Sequence, residues 1–564
     1  DVLLTEVTAV LKMAQHPHDS ICAISIHSQN ENDDGTGSGI LINSQQGLVL
    51  THATLLQPFL SEDSKILKHL HSTGFVKGED VRQISGADII FPSNLFHLNG
   101  SEKLLKQRPP SALNSNLHVN SCSYDKFSGS ILCIFKCYSL QKVVHKLLSS
   151  DNWKFIDNIS EDLKKNSKQK EESLYVLLPC FVLLKLQNWT PLETSLSAKD
   201  SASIVQGDMV EICATPFGTL NPDIFLNSRS GGIASNMVGE RNVLILTDAR
   251  CIPGSEGGAL FSCDIKQRYL VGIIIASLCW RTNEWIGLTM AASITEVLDS
   301  LKGHYSKSAS HISLTNLQPY YGAQNNESRV LPIINHVPLV SVGNTWGSGV
   351  ILNAGPGLVL TCSHVLKGSN VEKVKLYLNC SQTPVDVDIV HQAPLSSHFD
   401  LGLLSMATEQ LPKQRDKIAV LEVPDISEGD FVYVVGHAIF GQRYNMPPTV
   451  TAGIVSKVVT VNRVPVIIQT TCAVHAGASG GGVFDQKGRL VAIVVSNTKD
   501  TTSNASYPHI NMCIPMKTIA PVINEYIETQ DVYVLNKLVI KNKLVKRLWS
   551  WSQEASSATL SSKL

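Results

Sequence analysis

The sequence predicts an all-β protein built from two tandem units of one kind, and three observations carry that expectation. The chain has 564 residues, which at roughly 150 residues per domain is three to four compact bodies rather than one. Short runs rich in Val, Ile, Leu and Thr, such as Lys457-Val458-Val459-Thr460-Val461 and residues 464–470, are punctuated by Gly, Pro and Asn. Such strings read as many short strands joined by turns, and they favour sandwiches or closed barrels over βαβ layers. The third observation is that the chain repeats itself. Gly37-Ser38-Gly39-Ile40-Leu41-Ile42-Asn43 returns as Gly347-Ser348-Gly349-Val350-Ile351-Leu352-Asn353, and Gly47-Leu48-Val49-Leu50-Thr51 returns as Gly357-Leu358-Val359-Leu360-Thr361, both 310 positions on. Gly207-Asp208-Met209-Val210 and Gly257-Gly258-Ala259-Leu260 answer Gly429-Asp430-Phe431-Val432 and Gly480-Gly481-Gly482-Val483 in the same order. A repeat of this kind organises the whole fold.

Taken along the chain, a first unit occupies about 1–310, a second about 320–530, and a tail follows at 531–564. The first unit carries an insertion at about 57–172 that ends in the polar run 161–172, the composition of a solvated helix or loop. In the tail, Leu535, Leu538, Val545 and Trp549 alternate with Lys537, Lys541, Lys546 and Arg547. That pattern reads as a basic amphipathic helix, with packing on a protein core favoured over a membrane surface.

Composition narrows the classes of function. Forty-seven Lys and Arg against 48 Asp and Glu leave a formal charge of −1, so no basic excess points to nucleic acid or anionic lipid. Hydrophobic residues at 43% and charged residues at 17% describe a well-cored soluble chain. The longest nearly apolar runs, 175–186 and 269–280, are too short to span a bilayer. Thirteen cysteines, with no CxxC pair and no metal-ligand spacing to histidine, read as reduced thiols. No metal or cofactor is expected. The N-terminal stretch has neither a basic n-region nor a pure apolar h-region, and is a poor secretory signal.

The second unit holds three segments that together make a nucleophilic set: Thr361-Cys362-Ser363-His364, Phe399-Asp400-Leu401-Gly402 and Gly477-Ala478-Ser479-Gly480-Gly481. A serine hydroxyl is a weak nucleophile at neutral pH. It needs an imidazole to take its proton and a carboxylate to fix that imidazole's tautomer. Glycines around the serine let backbone N–H groups approach a developing oxyanion. The first unit has none of this in register: His364 falls on Thr54, Asp400 on about Cys180 and Ser479 on Glu256, while His52 and Ser255 stand two and one positions away. That unit is therefore expected to serve structure, substrate docking or regulation.

These segments resemble the triad segments of trypsin-like serine proteases, closest to the Deg/HtrA branch. The whole chain resembles the family of peroxisomal and glyoxysomal leader-peptide processing proteases. The resemblance implies tandem chymotrypsin/trypsin-like double β-barrels, the first lacking the triad. It makes His364 the general base, Asp400 its orienter, Ser479 the nucleophile, and the amides of Gly477 and Ser479 the oxyanion hole. The primary pocket's base falls on Ala473; with no carboxylate there, a small uncharged side chain is preferred, in line with the family's cleavage after cysteine. Ala478 stands where digestive proteases carry the aspartate that pairs with a freed N-terminus, so control through loop order or a homo-oligomer is expected instead. Self-cleavage, which the family is associated with, has Cys122 as its candidate position. Ser562-Lys563-Leu564 read as the address recognised by a peroxisomal import receptor. The expected function is removal of leader peptides from imported peroxisomal matrix enzymes, acting in the matrix. A broad quality-control protease and a non-catalytic binding scaffold are the rivals.

Overall fold

In a computed structural model, residues 17–549 are described apart from 29–33, 61–63, 82–83, 93–123, 149–152, 155–173, 193–195, 264–267, 282–283, 306–317, 321–329, 353–356, 370, 379–380, 395–396, 398, 408–422, 442–445, 500–505 and 541. The chain divides into two compact units, residues 1–279 with 288–325, and residues 280–287 with 326–564. Each unit is a pair of six-stranded barrels, which makes the protein the tandem double-barrel, all-β molecule that the sequence predicts.

The first barrel of the first unit closes in the order Ile21–Ser28, Asp34–Asn43, Leu48–His52, Cys180–Leu186, Tyr124–Lys136 and Ile84–Pro92, the last pairing back to the first. Every neighbouring pair is antiparallel. The residues of Leu48–His52 are all buried, because one face of the strand fills the barrel and the other is covered from outside. Two of these six strands, Ile84–Pro92 and Tyr124–Lys136, come from the region 57–172. That region is therefore not wholly an insertion. The barrel needs both strands to remove its edges, and the extra length surrounds them, in helices Lys65–Ser72 and Tyr138–Leu148 among others. The second barrel runs Met209–Ala214, Ser228–Val238, Leu244–Thr247, Glu284–Ser293, Arg268–Arg281 and Ala259–Cys263.

The second unit repeats the plan. Its first ring runs Leu339–Val342, Thr345–Ser348 with Val350–Ile351, Leu358–Thr361, Gly402–Ser405, Asp388–Gln392 with Val385–Asp386, and Val374–Tyr377, which pairs back to Leu339–Val342. Its second runs Phe431–Gly436, Thr449–Val461, Val464–Thr470, Ser506–Pro515, Leu490–Lys499 and Gly482–Asp485. Registers match between the units: Ile40 faces Leu50 as Val350 faces Leu360, and Thr51 faces Val182 as Thr361 faces Gly402.

The tail is not one amphipathic helix. Val532–Leu538 forms a 3₁₀ turn with Leu535 and Leu538 buried, and Lys543–Trp549 a short α-helix with Val545 buried. Trp549 donates its indole N–H to Val466 O at 3.2 Å and meets Phe399 edge-on at 5.8 Å, so these residues pack on the second unit's own barrels. Among the described residues no helix is long and apolar enough to cross a membrane.

Phe484 lies fully buried in the second unit's second barrel. Phe484→Ala is expected to destabilise that unit by about 3–5 kcal/mol, as large-to-small core changes do; a shift in urea midpoint worth less than about 1 kcal/mol would show that the ring is not the close-packed core described.

Candidate active site

Strand Leu358–Thr361 is wholly buried, and apolar up to Thr361, whose hydroxyl donates to Ser348 O at 2.7 Å. The chain then enters the 3₁₀ turn Ser363–Leu366, in which Ser363, Val365 and Leu366 are buried. With its neighbours anchored inward, His364 faces out, its side chain 45% exposed. Asp400 stands between buried Phe399 and Leu401, and the pairing of Thr361 with Gly402 brings it level with the turn. Its Oδ1 accepts the His364 backbone N–H at 2.9 Å, and its Oδ2 is hydrogen-bonded to Nδ1 of the same residue. One carboxylate thus holds both the backbone and the ring of His364. The proton is fixed on Nδ1, and Nε2 is left as the base.

Ser479 lies on a loop whose shape only glycine supplies. Gly477 and Gly480 have φ of +94° and +85°. A Cβ at Gly480 would lie 2.1 Å from Ser348 O and 3.0 Å from Cys362 N, which sets the residue after the serine against the residue two before His364. The amides of Ala478, Gly480 and Gly481 donate to His475 O, Val494 O and Ala478 O. Among the described residues, those of Gly477 and Ser479 make no hydrogen bond, so two donors on one loop remain for a ligand. The Ser479 hydroxyl donates to Val495 O at 2.9 Å.

The residue that the sequence reading missed is Ser348. Its hydroxyl donates to Gly477 O at 2.7 Å and accepts His437 N–H at 2.7 Å, while its backbone N–H donates to Ser479 O at 2.8 Å. One serine of the first ring therefore fixes the peptide planes on both sides of the Ser479 loop. The signal was present: the repeat keeps a serine at 38 as at 348. In the first unit Ser38 donates to Gly254 O at 2.8 Å, accepts Thr215 N–H at 2.8 Å, and donates from its backbone to Glu256 O at 2.9 Å. The brace exists twice.

The three candidate side chains are not repeated. At the position of His364 the first unit has Thr54, and the strand register sets Cys180 level with Asp400. Burial pushes the Cys180 thiol up to about 12. His52 is buried between Thr54 Oγ1 at 2.9 Å and Leu178 O at 3.0 Å, and burial lowers its pKa to about 4. It is a core histidine. His437 is its like in the second unit, bonded to Val337 O at 3.0 Å and also lowered by burial to about 4.

Ala473 is buried, and its carbonyl accepts the Thr451 hydroxyl at 2.8 Å, while Asn511 donates to the neighbouring Cys472 O at 3.0 Å. Its segment is held from behind. The ligand atoms of Cys362, His364 and Asp400 lie within 4.8 Å of one another. The thiol, however, is buried, donates to Val494 O at 3.2 Å and is held by burial well above the ordinary thiol value, which disfavours the thiolate that a metal needs. Cys122, Ser562, Lys563 and Leu564 lie outside the described residues.

The trypsin-like peptidase domain model matches residues 347–493, a span containing His364, Asp400 and Ser479. A peroxisomal leader peptide-processing protease of Mus musculus is 30% identical over 559 residues, covering 94% of this chain and 95% of its own. That of Homo sapiens is 30% identical over 567 residues, with the same two coverages. Among solved structures, an HtrA-type protease, AlgW with a tripeptide, is 23% identical, covers 36% of this chain and 64% of its own, and has a TM-score of 0.29.

Two outcomes are expected from the brace and the buried histidines. Ser348→Ala frees the loop carrying Ser479 and is expected to lower kcat by roughly a hundredfold, the cost of a displacement near 1 Å. Ser38→Ala should lower stability by about 1–3 kcal/mol and leave kcat alone; equal rate effects from the two variants would refute this division. His52 and His437 have folded pKa values near 4 against an unprotonated-to-protonated midpoint of 6.5 when unfolded. The unfolded chain therefore takes up protons first as pH falls, and stability present above pH 6.5 is lost toward pH 4. Between pH 7 and pH 5 the loss is about 2 kcal/mol for each histidine. Urea midpoints at the two pH values measure it, and His52→Gln should remove one share; an unchanged slope in that variant contradicts the assignment.

Proposed function

The chain belongs to the family of peroxisomal leader peptide-processing proteases, and from that premise we propose that its second unit is a serine endopeptidase working through Ser479, His364 and Asp400. The observation that supports this most is the two-point hold of Asp400 on His364 beside a glycine loop with two unspent amides. Substrate binding draws the Ser479 hydroxyl from Val495 O toward Nε2 of His364. Nε2 takes the hydroxyl proton as Oγ bonds to the peptide carbonyl carbon. The carbonyl oxygen, now negative, is received by the N–H groups of Gly477 and Ser479, donors already aimed and needing no reorganisation. The Asp400 carboxylate stabilises the imidazolium, which then gives its proton to the leaving amine as the C–N bond breaks. Water, deprotonated by the same Nε2, bonds to the acyl carbon, and the imidazolium returns the proton to Oγ as the C–Oγ bond breaks and the acid leaves.

The substrates in this reading are leader-bearing enzymes of the peroxisomal matrix, where the protein itself acts after delivery by the import receptor. The absence of a carboxylate at Ala473 supports a small uncharged side chain, such as cysteine, before the cut bond. Self-processing near Cys122 and control by assembly of copies belong to the same proposal.

A fluorophosphonate probe is expected to label the chain once, with labelling lost in Ser479→Ala and kcat lowered by roughly four to six orders of magnitude. Asp400→Asn should cost about 10⁴-fold. Undiminished labelling of Ser479→Ala would refute the assignment. Incubation of leader-bearing matrix enzymes with active and Ser479→Ala protein, read by mass spectrometry, should give one dominant cut after a cysteine; ragged ladders would instead mark a quality-control protease.

A further inference from the structure

The Ser479 loop has a copy in the first unit that keeps the backbone bond for bond and changes the side chain. Gly254 and Gly257 have φ of +91° and +84°, against +94° and +85° at Gly477 and Gly480. Gly257 N donates to Ile274 O at 2.8 Å as Gly480 N donates to Val494 O at 2.8 Å. Ser255 N and Gly258 N reach Ile252 O and Ser255 O, each at 3.0 Å, as Ala478 N and Gly481 N reach His475 O and Ala478 O, each at 2.9 Å. The Ser38 hydroxyl holds Gly254 O as the Ser348 hydroxyl holds Gly477 O. With the peptide planes so fixed, the N–H groups of Gly254 and Glu256 present the same pair of donors that Gly477 and Ser479 present.

Those donors face the side chain that replaced the serine. Glu256 is two carbons longer than serine, and it folds back so that Oε2 accepts the Gly254 N–H at 2.9 Å. Burial pushes its carboxyl above the usual carboxylate range, and the backbone amides of Glu256 itself and of Gly254 pull in the opposite direction. Among the described residues no ion pair with Lys or Arg is found for it, and its polar support comes from backbone amides. Simple loss of a nucleophile does not call for this. Glycine or alanine at 256 would also abolish it, and would leave the cradle open.

We propose that the first unit retains a backbone anion cradle of oxyanion-hole type and that the Glu256 carboxylate occupies it as a built-in ligand. The cradle is thereby closed to a peptide carbonyl in the natural chain, and it takes a small carboxylate from solution once Glu256 is shortened. The first unit is not a peptide-docking groove at this place. The occupant also holds the 254–258 loop in the shape that its glycines and Ser38 prescribe. The inference is independent of whether the second unit cleaves leader peptides.

Thermal unfolding of the full chain at pH 7 tests it, in sodium acetate against sodium chloride at equal ionic strength. Glu256→Ala should lower Tm by about 2–4 °C, the size of one lost interaction in a unit of this length. Acetate should then restore most of the loss saturably, while the natural chain shows no acetate response. Glu256→Gln keeps an acceptor oxygen in the cradle and should lose less and respond less. Peptide hydrolysis by the second unit should be the same in every variant, which reports that the rest of the chain is folded. The proposal is overturned if Glu256→Ala matches the natural Tm, or if acetate raises its Tm no more than it raises that of the natural chain. If Glu256→Ala does not accumulate folded, Glu256→Ser, which installs what the same loop carries at 479, takes the same test with the same two outcomes.

Discussion

The structure around Ser479 depends on one hydroxyl that takes no part in chemistry. Ser348 sits on a strand of one barrel and binds a carbonyl, and through its own backbone a second carbonyl, of a loop belonging to the other barrel. The loop itself is built from glycines in a region of backbone space that L side chains rarely adopt, and nothing local would keep it there. A buried hydroxyl with donor and acceptor both used is a stiff clamp, because breaking either bond leaves a polar group unpaired away from water. The same clamp at Ser38 holds the same loop in the first unit, where Thr54, Cys180 and Glu256 stand at the places of His364, Asp400 and Ser479. The clamp is thus a property of the double barrel, present in both units.

Against that common frame the two units diverge through three side chains. Where the second unit has an exposed imidazole, a carboxylate and a hydroxyl, the first has a threonine, a buried thiol and a carboxylate turned onto its own backbone. Electrostatics explains how each set is tolerated. Asp400 is only partly buried and has the His364 backbone and ring to satisfy it. Glu256 accepts the Gly254 N–H instead of pairing with an imidazole. Cys180, protonated by burial, brings no charge into the place where the second unit keeps one. Each unit meets the rule that a buried charge must be paired or hydrogen-bonded, by different means.

The histidines make the same point about reading residues by type. Four positions near the two loops carry the residue: His52, His364, His437 and His475. Two of them, His52 and His437, are core residues bonded to backbone carbonyls and kept neutral by burial, and of the four only His364 has a carboxylate on one nitrogen and solvent near the other. Type and spacing alone do not separate these cases. Burial does.

Much was legible in the residues themselves: the all-β class, the duplication and the absence of a triad in the first unit. These follow from local composition and from a repeat, which a linear string carries in full. The region 57–172 was overread because its strands Ile84–Pro92 and Tyr124–Lys136 lack counterparts of similar sequence in the second unit, and only ring closure shows that they are required. The tail's apolar residues marked a packed face, but not that it would form two short pieces, Val532–Leu538 and Lys543–Trp549, the second with Trp549 on Phe399 and Val466. Ser348 stood in the sequence only as one member of the repeated Gly-Ser-Gly motif. Glu256 looked like a plain loss. What the string determined by itself was which chemical groups are present and which are duplicated. What only the tertiary structure decided was which groups meet, since His364 and Asp400, Ser348 and Gly477, and Ser38 and Gly254 are far apart in the chain and are joined by strand register and ring closure, quantities set by the packing of whole barrels rather than by any local run of residues.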